Sequence, residues 1–301
     1  MKEDKKVAIL LSTYNGEKYV KEQIDSLLNQ TYKNIQIYIR DDGSKDNTVK
    51  ILEEYGNKIN LVVGKNKGFM KSFFELLTYC SDANYYAYCD QDDVWFENKI
   101  ENSIKMLEEK NKDVPLLYAG NFDYYDSNMK FIEHSKYKTK KPSFRNSIVE
   151  CVAPGMTMCI NKKARDEIVN NIPEKCLFHD WWTYMICSGL GETIYDNTVS
   201  VKYRRHSNNV TSECMNFFEL QIWRIKTFIL GKHFKDVKEQ LIIFNNIYGK
   251  KLKEEDRRLL ELFIEKNSIT NIIKKVFYKK RYRANIIDDL LIRVMFLIGK
   301  M

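Results

Sequence analysis

The octapeptide YCDQDDVW, residues 88–95, sets three carboxylates within four positions: Asp90, Asp92 and Asp93. The preceding run, ANYYAYC, is β-prone, so the charges stand where a buried strand would end. Like charges this close repel and raise one another's pKa. A divalent cation would offset them, because hard cations prefer oxygen ligands. A solvated acidic turn is the other reading, and the motif alone leaves the two open.

The elements that must position this cluster are legible upstream. VAILLS (7–12) has the continuous apolar character of a buried strand, and EKYVKEQIDSLLNQ (17–30) carries apolar residues at helical spacing. IQIYIR (35–40) is a second strand, with a helix from Asp46 to about Tyr55. INLVVG (59–64), GFMKSFFELLTYC (68–80) and YYAYC (85–89) continue as strand, helix, strand. That alternation predicts an α/β fold with a mostly parallel sheet covered on both faces. In such sheets ligands sit beyond the carboxyl ends of the strands. STYNGE, DDGS, KNKG and DQDD follow strands one to four in turn, so the polar clusters fall where a ligand would lie. Beyond Trp95 the pattern loosens. It predicts a helix at 97–110, β structure in PLLYAGNFDYYD and FIEHSKYK, a helix at 161–171, another over HDWWTYMICSGLG (179–191), and a strand in NTVSVKYRRH.

No G-x-G-x-x-G, no G-x-x-x-x-G-K-[ST], no H-E-x-x-H and no G-x-S-x-G occurs. A nucleotide site without a phosphate loop needs another neutraliser, and a carboxylate-held divalent ion bridging a diphosphate supplies one. A carboxylate at the tip of strand two could accept from a base or ribose, and Tyr14 could stack on a base. The leaving group would then be a nucleoside diphosphate.

The set LLSTYNGEKYVKEQIDSLLNQTYKNIQIYIRDDGSKDNT, YCDQDDVW, HDWW and YRRHSNNVT resembles glycosyltransferase family 2, over roughly residues 5–212. The resemblance implies an inverting enzyme with the GT-A type fold and a divalent metal, Mn2+ or Mg2+. DQDDVW with the late YRRHSNNV is similar to bacterial rhamnosyltransferases of cell-surface polysaccharide assembly such as capsule, O-antigen and cell-wall glycans. Carried over residue by residue, it implies that Ser12, Thr13 and Tyr14 line the base pocket and that Glu17 orders their loop. Asp42 would hydrogen-bond the base with Asp41 beside it, while Lys65 and Gly68 would contact the nucleotide. Asp90, Asp92 and Asp93 would meet ribose and metal, with Asp92 and Asp93 the favoured ligands. His206 would face the diphosphate or the metal, and Asp180 would be the catalytic base. Trp181 and Trp182 could offer a sugar platform. Each has a plainer reading: Asp180 as a helix cap, the tryptophans as core, His206 as a loop residue.

The chain has 301 residues, 44% hydrophobic, and a net charge of +8. Residues 1–214 hold 30 Lys and Arg against 31 Asp and Glu, whereas 215–301 hold 19 against 10. This divides the chain into a catalytic domain at 1–214 (nucleotide-binding half 1–95, acceptor-binding half 96–214) and a basic helical region at 215–301. The segment 271–301 mixes apolar and basic residues at helical spacing. It reads as a basic amphipathic helix on an anionic bilayer, burying Phe277, Leu290, Leu291, Phe296 and Leu297, or as a packed appendage or homodimer contact. Nucleic acid is set aside, since the aromatics are not arranged as base platforms. Seven scattered cysteines without a C-x-x-C pair read as cytosolic thiols, and the first apolar run is too short for a signal peptide. The expectation is therefore a cytoplasmic enzyme, peripheral at the inner membrane face. It would take a dTDP-sugar or UDP-sugar donor and a lipid-linked glycan acceptor. A sugar nucleotidyltransferase would usually carry a Gly-rich basic loop after strand one, which STYNGEKY lacks. A non-catalytic scaffold would be expected to have lost an aspartate or the base.

Overall fold

A computed structural model describes residues 5–135, 142–206 and 231–301. The first strand, β1 (Val7–Thr13), is an almost wholly buried apolar run, as a strand covered on both faces requires. It pairs in parallel with β2 (Ile35–Asp41) on one side and β4 (Tyr85–Cys89) on the other, and β3 (Ile59–Val63) lies beyond β2. All four run the same way, so their carboxyl-terminal loops share one edge. Helices α1 (Val20–Leu28), α2 (Thr48–Glu53) and α3 (Phe69–Tyr79) connect them. Helix α1 starts three residues later than the apolar spacing suggests, because residues 16–19 form the turn that leaves β1.

The other half of the sheet is mixed. β4 is followed at once by a two-residue strand, β5 (Val94–Trp95), then by α4 (Lys99–Glu108), β6 (Leu116–Tyr125) and β7 (Phe131–His134). A short α5 (Phe144–Ser147), β8 (Met158–Asn161), α6 (Lys162–Asn170), α7 (His179–Leu190) and β9 (Glu192–Arg204) complete it. The strand order is β3-β2-β1-β4-β8-β6-β9-β5, with β7 on β6. The long β9 runs parallel to β6 and antiparallel to β5. That pairing carries the far end of β9, and the Arg204–His206 segment after it, back to the DQDD loop.

Apolar layers cover both faces. One joins β1 and β2 to α1, α2 and α4 through Ile9, Ile24, Leu52 and Ile104. The other joins α3, α6 and α7 to helices of the C-terminal third: α8 (His233–Tyr248), α9 (Glu254–Ile264) and α11 (Ile286–Leu297). The basic C-terminal helices thus share the core of the catalytic half. The proposed boundary at 214/215 lies outside the described residues. The segment read as one helix at 271–301 is two, α10 (Ile269–Val276) and α11, with a turn between them that buries Tyr282.

Trp182 is 0% exposed, packed against Phe244 and Tyr248 of α8. It has no ring face for a sugar, which corrects the platform expectation. Trp181 is also buried, with its indole N–H donated to the Ser147 carbonyl at 2.6 Å. Trp182→Ala should therefore destabilise the fold by about 3–5 kcal/mol in urea unfolding. A stable variant with only a raised acceptor KM would return Trp182 to the binding surface.

Candidate active site

The loop after β2 is built around a buried guanidinium. Arg40 donates to Asp42 Oδ1 at 2.5 Å, Glu75 Oε2 at 2.7 Å, Ser72 Oγ at 2.7 Å and the Lys65 carbonyl at 3.1 Å. It ties the ends of β2 and β3 to α3. Burial alone would raise the Asp42 pKa, but Arg40 and the N–H groups of Lys67 and Gly68 outweigh it and hold it below the usual range. Gly68 donates at 2.7 Å with φ +83°, a conformation costly for other residues. Asp41 is equally engaged: it accepts from Thr13 Oγ1 (2.9 Å), Ser44 Oγ (2.5 Å) and the N–H groups of Gly43 and Ser44. Its four acceptor positions are filled within the protein, so Asp41 folds the loop and has none left for a nucleotide. Lys65 contributes its carbonyl here, and its side chain is exposed.

The loop after β1 presents Tyr14 at 42% exposure, open for stacking, with Ser12 half-buried behind it. Gln91, inside DQDD, accepts from the Tyr14 N–H at 2.9 Å and donates to the Tyr14 carbonyl at 3.1 Å. Gly16 makes room: a Cβ there would stand 2.3 Å from Gln91 Oε1. Glu17 Oε2 accepts from the backbone and side-chain nitrogens of Asn47, both at 2.8 Å, which joins this loop to the next.

The three aspartates face different ways. Asp93 points inward, fully buried, and accepts the Arg204 N–H at 3.0 Å. Its Oδ2 has no partner, and burial with Asp92 and Asp90 nearby pushes its pKa well up. Asp93 is thus tied to the end of β9 and is more deeply buried than Asp92. Asp92 faces the cleft, with Oδ2 2.8 Å from His206 Nε2. Arg204, also buried, donates to the Asp92 carbonyl (2.7 Å) and Glu22 (2.5 Å) and lies over the Tyr19 ring. Asp90 is pushed up to about 7, first by burial and then by Asp92 and Asp180.

Asp180 lies in the first turn of α7. Its Oδ2 accepts the Gly155 N–H at 2.9 Å and its Oδ1 the Trp181 N–H at 2.7 Å. Burial raises its pKa to about 6. Its neighbour His179 stacks on Phe73 at 3.9 Å, and burial lowers that imidazole to about 3, so it stays neutral. Asp90 thus lies near enough to both Asp92 and Asp180 to feel their charge, Asp92 pairs with His206, and Gln91 of the same loop joins Tyr14.

Sequence reasoning missed Arg40, Gln91, Lys99 and Arg204. Lys99 is buried with Nζ 4.2 Å over the Trp95 ring, and its charge acts on Asp93 through space. Each is an ordinary polar residue in the sequence, and only the strand order shows what it touches.

Among the described residues no three His, Cys, Asp or Glu side chains stand together as a complete ion site. The donor chemistry nonetheless fits a hard cation bound mainly by substrate. Such ions take one or two protein ligands and complete their shell with phosphate oxygens and water. Asp92 and His206 are the pair in position.

Gln91→Ala should leave the fold intact and free Tyr14. The expected outcome is weaker nucleoside diphosphate binding by calorimetry with an unchanged melting temperature. Unchanged binding would remove Gln91 from the site.

Comparison with known proteins places this geometry. Glycosyl transferase family 2, as a family-wide sequence model, matches residues 8–168. The dTDP-rhamnosyl transferase RfbG of Shigella flexneri is 34% identical over 225 residues, 69% of this chain and 75% of that protein. WfgD of Escherichia coli, a UDP-Glc:alpha-D-GlcNAc-diphosphoundecaprenol beta-1,3-glucosyltransferase, is 33% identical over 144 residues, 46% of this chain and 55% of that protein. The crystal structure of S. aureus TarS 1–349 with UDP-GlcNAc superposes with a TM-score of 0.56 at 17% identity, covering 98% of this chain and 92% of that one. The fold is therefore of the GT-A type, and with the family match spanning over half its length and a relative 34% identical over 69% of it, this chain belongs to glycosyltransferase family 2.

Proposed function

We propose that this chain transfers L-rhamnose from dTDP-rhamnose to a lipid-linked glycan in bacterial cell-surface polysaccharide synthesis, with inversion at the anomeric carbon. A UDP-hexose is the next donor. The observation that carries the chemistry is the meeting of Asp180 with the aspartate cluster, close enough for Asp180 to perturb Asp90. The donor reading rests on the likeness to RfbG, and the lipid-diphosphate acceptor on the likeness to WfgD. Such an acceptor would hold the enzyme at the inner face of the cell membrane.

Asp180 is the base. Its two backbone hydrogen bonds fix the carboxylate and leave a lone pair on each oxygen. The acceptor hydroxyl gives its proton to Asp180 as its oxygen bonds to the anomeric carbon, and the bond from that carbon to the diphosphate oxygen breaks on the opposite face. Tyr14 packs on the base. Asp42 keeps one acceptor position, on Oδ2, for the nucleotide. Asp92 and His206 would hold Mn2+ or Mg2+, which when bound neutralises charge on the departing diphosphate. Asp90 faces the same space as a ribose contact.

Asp180→Asn should lower activity by about a hundredfold or more while donor affinity is kept. The parent enzyme should lose activity as pH falls through about 6, because a protonated carboxyl accepts no proton. A flat profile between pH 5 and 7, or a nearly active variant, would leave Asp180 as a helix cap. For the metal, dTDP binding followed by calorimetry should strengthen with Mn2+, and Asp92→Asn should abolish the gain. Asp93→Asn, which keeps an oxygen to accept the Arg204 N–H, should instead leave that gain in place. Equal affinity with and without EDTA would remove the metal from the reading.

A further inference from the structure

A surface helix normally turns a polar face to water. Helix α11 does the reverse. Its exposed positions are Ile286, Ile287, Leu290, Leu291, Val294 and Leu297, and Ile298 follows as the C-cap. At 100° per residue they fall within one continuous arc of about 140°. The inward arc is also filled, by Asp289, Ile292, Met295 and Phe296. Phe296 is thus core and belongs to no outer surface, contrary to the sequence reading. Helix α10 packs beside α11 and exposes Ile269, Ile273 and, just past its end, Phe277 at 77%. More than half of the exposed large apolar side chains among the described residues belong to these two helices and the residue that follows each.

The rim of this face is basic. Lys274, Lys279, Lys280, Arg281 and Lys300 are exposed around it. Residues 266–301 carry nine lysines and arginines against two aspartates, and one of those, Asp289, is buried and paired with Arg293.

We propose that the outer face of α10 and α11 docks on an anionic lipid bilayer, with the isoleucine and leucine arc in the acyl boundary and the lysines among the headgroups. Charge complementarity selects this occupant. A second copy of the chain seated on the same face would set two basic rims against each other. Contiguous exposed apolar surface of this kind marks an interaction site.

The docked face would be rigidly joined to the acceptor side of the cleft. In the turn between the helices, the Tyr282 carbonyl accepts from Asn146 Nδ2 at 2.6 Å, Arg283 donates to the Val149 carbonyl at 3.1 Å, and the Ala284 N–H donates to Glu150 at 2.6 Å. That partner segment leads directly to Gly155, whose N–H holds Asp180. The position of the face relative to an acceptor rests on the reaction proposed above, whereas the docking itself does not.

Flotation with vesicles, using the full chain without substrates, tests it. Binding should rise with phosphatidylglycerol content and fall with salt. Leu290→Asp with Leu297→Asp should weaken it about tenfold or more, while hydrolysis of the nucleotide-sugar in solution is unchanged. Lys279→Glu with Lys280→Glu should weaken binding to anionic vesicles and leave the weak binding to neutral ones. Absence of binding to anionic vesicles at low salt overturns the proposal. So does a dimer in sedimentation equilibrium that Leu290→Asp dissociates, since a second copy would then be the occupant. If vesicles bind but no sugar is transferred to a lipid-linked acceptor, the docking stands and the acceptor reading fails.

Discussion

Crowding carboxylates at the end of a buried strand is the constraint on which the cleft depends. At 4 Å and an effective dielectric of about 20, two such charges repel by about 4 kcal/mol. The fold meets this by dividing the cluster. Asp93 turns inward, opposite the Arg204 N–H and within reach of the Lys99 charge. Asp92 pairs with His206, and Asp90 shifts toward neutrality at about 7. What remains of the strain shows in the upward shift of Asp90, driven first by burial and then by Asp92 and Asp180.

This division needs β9. Its antiparallel pairing with the two-residue β5 delivers Arg204 and His206 to a loop more than a hundred residues earlier. Arg204 then reaches onward to Glu22 on α1 and to Tyr19. Arg40 does the same work on the nucleotide side, across β2, β3 and α3. Two buried guanidiniums thus hold the loops in register, and each satisfies its own donors in doing so. Removing either would leave partners buried and unpaired, which is more costly than never having built the pair.

The alternation of strands and helices up to residue 95 was legible because it rests on local periodicity. So were the tips of those strands as a ligand edge. What the sequence did not reveal was the division of labour inside each motif. Both aspartates of DDGS looked available, yet Asp41 is consumed by Thr13, Gly43 and Ser44. In DQDD, Asp92 and Asp93 were the favoured ligands, yet Asp93 faces the core, and Gln91 of the same loop holds Tyr14. Adjacent residues in a loop differ in direction, and direction comes from distant partners. Trp182 was ambiguous for the same reason, since the α8 aromatics that bury it lie some sixty residues on.

The C-terminal helices contribute in two directions at once. Their inner faces enlarge the core beneath α7, burying Phe244, Tyr248 and Phe296 on the layer that holds Trp182. Helix α7 carries Asp180 in its first turn, so the stability of the segment that holds Asp180 depends on residues far from it in the chain. Their outer faces remain apolar. In water that arrangement is unfavourable, because each exposed leucine or isoleucine forgoes about 1.5–3 kcal/mol of burial. Core packing on one side of α11 and an apolar arc on the other leave the helix anchored to the protein from beneath, with an outer face that lacks the polar residues water would favour.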